Sequence, residues 1–65
     1  MNTELIGTQW LDKPENKDYK NSSVLWLKAC DDFLDLYNAK KITIEQLRDI
    51  LRFIHLKIYK RPLGS

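Results

Sequence analysis

The sequence predicts an all-α fold built around an antiparallel pair of helices. Two segments carry apolar residues at helical spacing, and each is preceded by residues that commonly cap a helix. About four residues separate the segments, so the chain must reverse direction and the two helices should form a helical hairpin. We expect this hairpin domain at residues 22–61, after an N-terminal arm and polar loop at 1–21 and before a tail at 62–65.

The N-terminal region divides into an apolar arm and a polar loop. The sequence does not decide whether the arm is strand, helix or coil. Residues 12–21, DKPENKDYKN, have no helical or strand periodicity and contain Pro14, a pattern that favours a loop. The apolar residues of the arm are Leu5, Ile6, Trp10 and Leu11.

The first long helix is predicted at about residues 23–38. Asn21, Ser22 or Ser23 can accept hydrogen bonds from its first amide groups. Its apolar residues should form one stripe facing the second helix, with a charged face opposite. The stripe comprises Trp26, Leu27, Cys30, Phe33, Leu34 and Tyr37, its shoulder Leu25, Ala29 and Leu36, and the opposite face Lys28, Asp31, Asp32 and Asp35.

The second helix is predicted at about residues 44–60, ending before Pro62. Thr43 and Gln46 have the spacing of a capping box. Phe53 and Leu56 lie well away from the apolar seam of this helix, so one partner helix cannot cover all of its apolar residues. The seam itself has coiled-coil spacing and comprises Ile44, Leu47, Leu51, Ile54 and Ile58.

The hairpin therefore needs a second layer over its surplus apolar surface. That layer could be the folded-back arm, a second copy of the chain that completes a four-helix bundle, or a different protein. The chain could also be one part of a larger protein that covers the same surface. The predicted protein-interaction residues are Trp10, Leu25, Leu36, Phe53 and Leu56.

Charge is distributed unevenly along the chain. The net charge is −1 over residues 1–21, −2 over 22–39 and +5 over 40–65. Basic and aromatic side chains follow one flank of the second helix and could contact phosphate groups. The candidate anion or nucleic-acid contacts are Arg48, Arg52, His55, Tyr59, Lys60 and Arg61.

A simpler interpretation of this flank is structural, and the sequence favours it. Arg48 and Arg52 could pair with Asp31 and Asp35 within the chain, while the last cations complement the dipole of the helix. The isoelectric point of about 8.8 is also modest for a nucleic-acid-binding domain.

No motif for catalysis, metal binding or a cofactor is present, so we expect a protein that is not an enzyme and binds no cofactor. Cys30 and His55 are the only residues of their kinds, which excludes an intrachain disulfide and the usual zinc spacings. Asp31, Asp32 and Asp35 are expected to form a solvated face, and Cys30 to be a buried structural thiol.

Length and composition narrow the functional classes. With 65 residues, of which 43% are hydrophobic and 31% charged, the chain resembles a small globular domain with a marginal core. It lacks an apolar run of about 18 residues and a signal peptide, so we expect a cytoplasmic protein of a cell or an infected host, without membrane contact.

The functional prediction is a helical interaction module, acting as a regulator or inhibitor. Such a module works by covering a partner's surface or by assembling with itself, and a homodimer is the expected form. The alternative is a dimeric nucleic-acid-binding regulator that uses the basic flank of the second helix.

Overall fold

A computed structural model describes residues 2–64, and over this range the protein is all-helical, as predicted. The helices are α1 (Thr3–Asp12), α2 (Pro14–Lys17), α3 (Ser22–Asn38) and α4 (Ile44–Tyr59). The Cα radius of gyration of 11.1 Å matches the roughly 11 Å expected of one compact body of this length. Among the residues described, no helix combines the length and the apolar character needed to cross a membrane.

The N-terminal region is helical, and the prediction of a continuous loop at residues 12–21 is wrong. Asn2 starts α1 because its side-chain oxygen accepts hydrogen bonds from the amides of Glu4 and Leu5. Pro14 is the first residue of the short helix α2, a position where its missing N–H group costs nothing. The proline therefore begins a helix here, whereas the sequence pattern indicated a break.

The two long helices begin at the predicted capping residues. Asn21 accepts from the amides of Ser23 and Val24 at the start of α3. Thr43 and Gln46 form the predicted capping box at the start of α4, with side-chain to backbone distances of 2.8 and 3.1 Å. α4 ends one residue earlier than predicted, because Lys60 adopts the left-handed conformation with φ of 61°.

Helix α4 lies between α1 and α3 and packs against both. On the α1 side, Gly7 is buried, and a Cβ atom placed there would lie 3.4 Å from Phe53 Cδ1 and 3.5 Å from Ile54 Cγ1. On the α3 side, the Trp26 ring contacts His55 with a centroid distance of 5.1 Å. Two helices thus share the apolar faces of α4, which explains why its apolar residues extend beyond one seam.

The core joins all three of the longer helices. Trp10 is only 5% exposed and its ring lies 5.8 Å from that of Phe33. Trp10 was predicted as an interface residue, but its indole is enclosed by its own chain. The buried apolar residues of the core are Trp10, Ala29, Phe33, Ile42, Leu47, Ile50 and Ile54.

A buried asparagine connects the N-terminal helices to α3. Asn16 is 2% exposed, and its amide nitrogen donates to the backbone oxygen of Trp10. Its side-chain oxygen accepts from Lys28 Nζ at 2.7 Å. A residue in the segment predicted as polar loop is therefore a structural link, since both of its polar atoms are satisfied inside the fold.

Candidate functional site

The five residues predicted as an interaction surface differ in their exposure. Trp10 lies in the core, and Leu25 is partly buried against it. Phe53 is partly buried and contacts α1 at Gly7. Leu36 and Leu56 remain exposed, at 37% and 48%, on different helices. The single chain thus leaves two of the five accessible to a partner.

A second apolar surface lies on the solvent side of α3. We call it the outer α3 stripe, and it comprises Leu27, Cys30, Leu34 and Tyr37. Leu27 is 64% exposed, Leu34 47% and Tyr37 37%, while Cys30 is partly buried. Intervals of three, four and three residues are those of a coiled-coil seam, so the four side chains follow one side of the helix.

Leu27 and Leu34 were predicted to face the second helix, and this prediction is wrong because both are exposed on the solvent side of α3. The buried side is centred on Ala29 and Phe33, which are 0% and 2% exposed. Apolar residues occupy a wider arc of α3 than its neighbours can cover, so periodicity alone does not indicate which half is buried. Seam spacing does not separate the two halves either, because the inner residues Trp26, Ala29, Phe33 and Leu36 follow the same intervals of three, four and three.

A polar contact on the inner side holds α3 in this rotation. Trp10 Nε1 donates to Asp32 Oδ2 at 2.8 Å, which turns Asp32 toward α1. Asp31 and Asp35 are exposed on the same helix without such a contact. The three aspartates therefore do not act as one solvated face, since Asp32 serves the packing of Trp10.

Three aromatic rings meet between the start of α3 and the end of α4. His55 and Tyr59 are 4.6 Å apart between ring centroids, and Trp26 lies 5.1 Å from His55 and 6.5 Å from Tyr59. His55 Nδ1 lies 2.9 Å from the backbone oxygen of Arg61 and donates to it, because a carbonyl can only accept. His55 and Tyr59 are thus partly buried supports of the helix pair.

The four cations among the candidate anion contacts are exposed: Arg48, Arg52, Lys60 and Arg61. Over residues 2–64, no ion pair links Arg48 or Arg52 to Asp31 or Asp35, so the predicted pairing within the chain is not formed. The basic flank of α4 and the acidic edge of α3 are both accessible.

Cys30 combines partial exposure with low reactivity. Burial raises the pKa of the Cys30 thiol above its ordinary value, and the neighbouring charge of Asp31 raises it further. The thiol therefore stays protonated near neutral pH and packs as a small apolar group. Its reactivity is low because the thiolate is the reactive form of cysteine. Cys30 is thus an apolar member of the outer α3 stripe and a poor nucleophile.

A shallow groove lies between the start of α1, α4 and the C-terminal residues. Its volume is about 610 Å³, and Phe53 and Leu56 provide apolar wall between charged side chains. The groove is lined by Thr3, Glu4, Asp49, Arg52, Phe53, Leu56, Pro62 and Leu63.

No protein-family description matches the chain, and neither a curated protein nor a solved structure resembles it closely enough to count as a relative.

Proposed function

We propose that the protein is a non-enzymatic helical interaction module, which regulates or inhibits by covering a partner's surface or by assembling with itself. The observation that carries this proposal is the exposure of the outer α3 stripe. A contiguous apolar surface on a small chain commonly marks a site of association.

Leucine burial is expected to dominate the affinity of this surface. Full burial of a leucine side chain stabilises a complex by about 1.5–3 kcal/mol, whereas an exposed ion pair contributes about 1 kcal/mol or less. Leu27 and Leu34 together therefore outweigh the charges around them, and those charges select the partner and its orientation.

In this proposal α3 and α4 act as a helical hairpin, and residues 22–61 form the interacting unit. The contact of Trp26 with His55 and Tyr59 supports opposite helix directions, because it joins the start of α3 to the end of α4. A second copy would complete a four-helix bundle around the hairpin. The proposed setting is the cytoplasm of a cell or an infected host, as suggested by the unpaired Cys30.

Photocrosslinking from the outer α3 stripe tests the proposal. A photoreactive amino acid replaces Leu27 in one variant and Leu5 in the control, since Leu5 is also exposed, at 53%, but lies on α1. We expect one discrete adduct from position 27 in extracts of the source cells, and its loss when Leu34→Ser is added. Equal, diffuse labelling from both positions would contradict the proposal.

The exposed arginines support a second candidate, a nucleic-acid-binding regulator. Arg48 and Arg52 are one helical turn apart and have no ion-pair partner among residues 2–64, so both could contact phosphates. Fluorescence anisotropy with DNA and RNA oligonucleotides at about 50 mM salt tests it, because binding through phosphates is strongest at low salt. Unchanged anisotropy at every protein concentration would remove this candidate.

A further inference from the structure

We propose that the outer α3 stripe is covered by a second copy of this chain, with the two α3 helices parallel and the two-fold axis running along them. The inference rests on the proposed function and specifies its partner. It follows from the spacing of the outer α3 stripe and from the charges on either side of it.

Parallel packing of α3 against its copy places equivalent residues together. In a parallel pair, the side chains at each seam position meet their own counterparts across the axis. Leu27 and Leu34 then pack against themselves, as do Cys30 and Tyr37. None of these four residues is Lys, Arg, Asp or Glu, so the seam contains no like-charge contact.

The face that contains the outer α3 stripe has edges of opposite charge. At about 100° per residue, Asp31 and Asp35 fall on the side of the stripe away from α4. Arg48 and Arg52 share one flank of α4 with His55 and Tyr59, and this flank borders the other side of the stripe because Trp26 contacts both rings. The order across the face is therefore acidic edge, apolar stripe and basic edge.

The direction of the two-fold axis decides which edges meet. An axis parallel to the helices brings the acidic edge of each copy against the basic edge of the other, and does so twice by symmetry. An axis across the helices sets acid against acid and arginine against arginine. Complementary charge therefore selects the parallel arrangement.

The positions of the charged residues along the helix axis also agree with this arrangement. Trp26 contacts both His55 and Tyr59, so it lies level with the midpoint of the two, position 57. Because α3 and α4 run in opposite directions, five residues forward from Trp26 reach Asp31 at the level of Arg52. Four more residues reach Asp35 at the level of Arg48.

Rotation about an axis along the helices leaves the position of each residue along that axis unchanged. The dimer thus pairs Asp31 with Arg52 of the second copy and Asp35 with Arg48 of the second copy. Within one chain the same residues occupy opposite edges, which agrees with the lack of ion pairs between them over residues 2–64.

Charge reversal tests the arrangement. Asp31→Lys and Arg52→Glu each create two repulsive contacts in a homodimer, and we expect each to weaken self-association by about tenfold, as measured by sedimentation velocity. In an equimolar mixture of the two variants both contacts become attractive, so a heterodimer of wild-type affinity should form. Asp18→Lys, an exposed change outside the face, is the matched control and should leave association unchanged.

Failure of the mixture to restore association would overturn the proposed orientation, as would tighter association of Asp31→Lys alone. Cys30 provides a second readout, since its copies face each other in the parallel dimer, whereas an antiparallel pair centred on the stripe would set Cys30 against Leu34. Mild oxidation should link wild-type chains through Cys30, and the Leu27→Ser/Leu34→Ser variant should stay unlinked. In a wild-type sample that sediments as a dimer, lack of a disulfide even after oxidation at alkaline pH, where the thiolate forms, would also overturn the orientation.

A wild-type chain that stays monomeric up to about 1 mM would overturn the dimer altogether. The interaction module would still stand if photocrosslinking from position 27 yields a discrete adduct with another protein. Diffuse labelling from positions 27 and 5 alike would instead contradict the module itself.

Discussion

The two sides of α3 are similarly apolar and have different structural roles. Phe33 on the inner side is 2% exposed, while its neighbour Leu34 on the outer side is 47% exposed. One residue step turns the side chain by about 100°, enough to move it from the core to the surface. Which side of α3 is buried therefore depends more on which elements pack against it than on how apolar that side is.

Two elements cover the inner side and none covers the outer side among residues 2–64. α1 contributes the Trp10 ring against Phe33, and α4 packs along α3 as well. The hydrogen bond from Trp10 to Asp32 adds a directional contact that the outer side lacks. The inner side therefore contributes to folding, while Leu27 and Leu34 on the outer side stay exposed to solvent.

The largest expected difference between the two sides follows from shortening their side chains. Phe33→Ala should lower the free energy of unfolding by about 3–5 kcal/mol because it leaves a cavity in the core. Leu34→Ala should change it by no more than about 0.5 kcal/mol in dilute, monomeric samples. Urea denaturation followed by circular dichroism measures both.

The milder variant Phe33→Leu keeps the test usable if Phe33→Ala does not fold. It should still destabilise more than Leu34→Ala. Equal losses at positions 33 and 34 would mean that α3 does not turn Phe33 into the core and Leu34 toward solvent.

Asn16, which is buried in α2, also stabilises the packing on the inner side of α3. Asn16→Ala should cost about 1–3 kcal/mol, since it removes the amide that donates to the Trp10 carbonyl and the oxygen that accepts from Lys28. Thermal denaturation compares it with Lys17→Ala, an exposed neighbour expected to be nearly neutral. An Asn16 variant as stable as the Lys17 variant would argue against a structural role for residues 14–17.

Two neighbouring aspartates of α3 are also expected to differ in their contribution to stability. Asp32→Ala should destabilise by about 1–2 kcal/mol because Trp10 Nε1 loses its acceptor, whereas Asp31→Ala should stay within about 0.5 kcal/mol. Asp32→Asn retains an acceptor oxygen and should fall between them. Chemical denaturation of the three variants tests this order, and a larger effect at position 31 would reverse the assignment of the two sides.

The smallest expected effect concerns Cys30. Because its pKa is raised from 9.0 by burial, the folded chain should react with iodoacetamide a few-fold more slowly near pH 8 than the unfolded chain does. The folded state also binds the thiol proton more tightly, so its stability should decline as pH rises past the ordinary value of 9.0. Mass spectrometry follows the alkylation, and Cys30→Ser should lack this part of the pH dependence.

Much of the candidate site could be recognised from the sequence, but its orientation could not. The apolar spacing in α3 already contained Leu27, Leu34 and Phe33. Helical periodicity reports angles between side chains and carries no information on where other elements lie, so all three were assigned to one side. The exposure of Arg48 and Arg52 similarly depended on whether Asp31 and Asp35 come within reach across the helix pair.

The all-α class, the two long helices and the capping of α4 by Thr43 and Gln46 could all be predicted from the amino-acid sequence. Each of these depends on residues within a few positions of one another, so local hydrogen bonding and periodicity suffice. Three features became visible only in the folded chain: α1 covers Phe53, Trp10 is a core residue, and the outer α3 stripe faces solvent. These outcomes depend on contacts between residues distant in the chain, such as Trp10 with Asp32, and no local pattern specifies them.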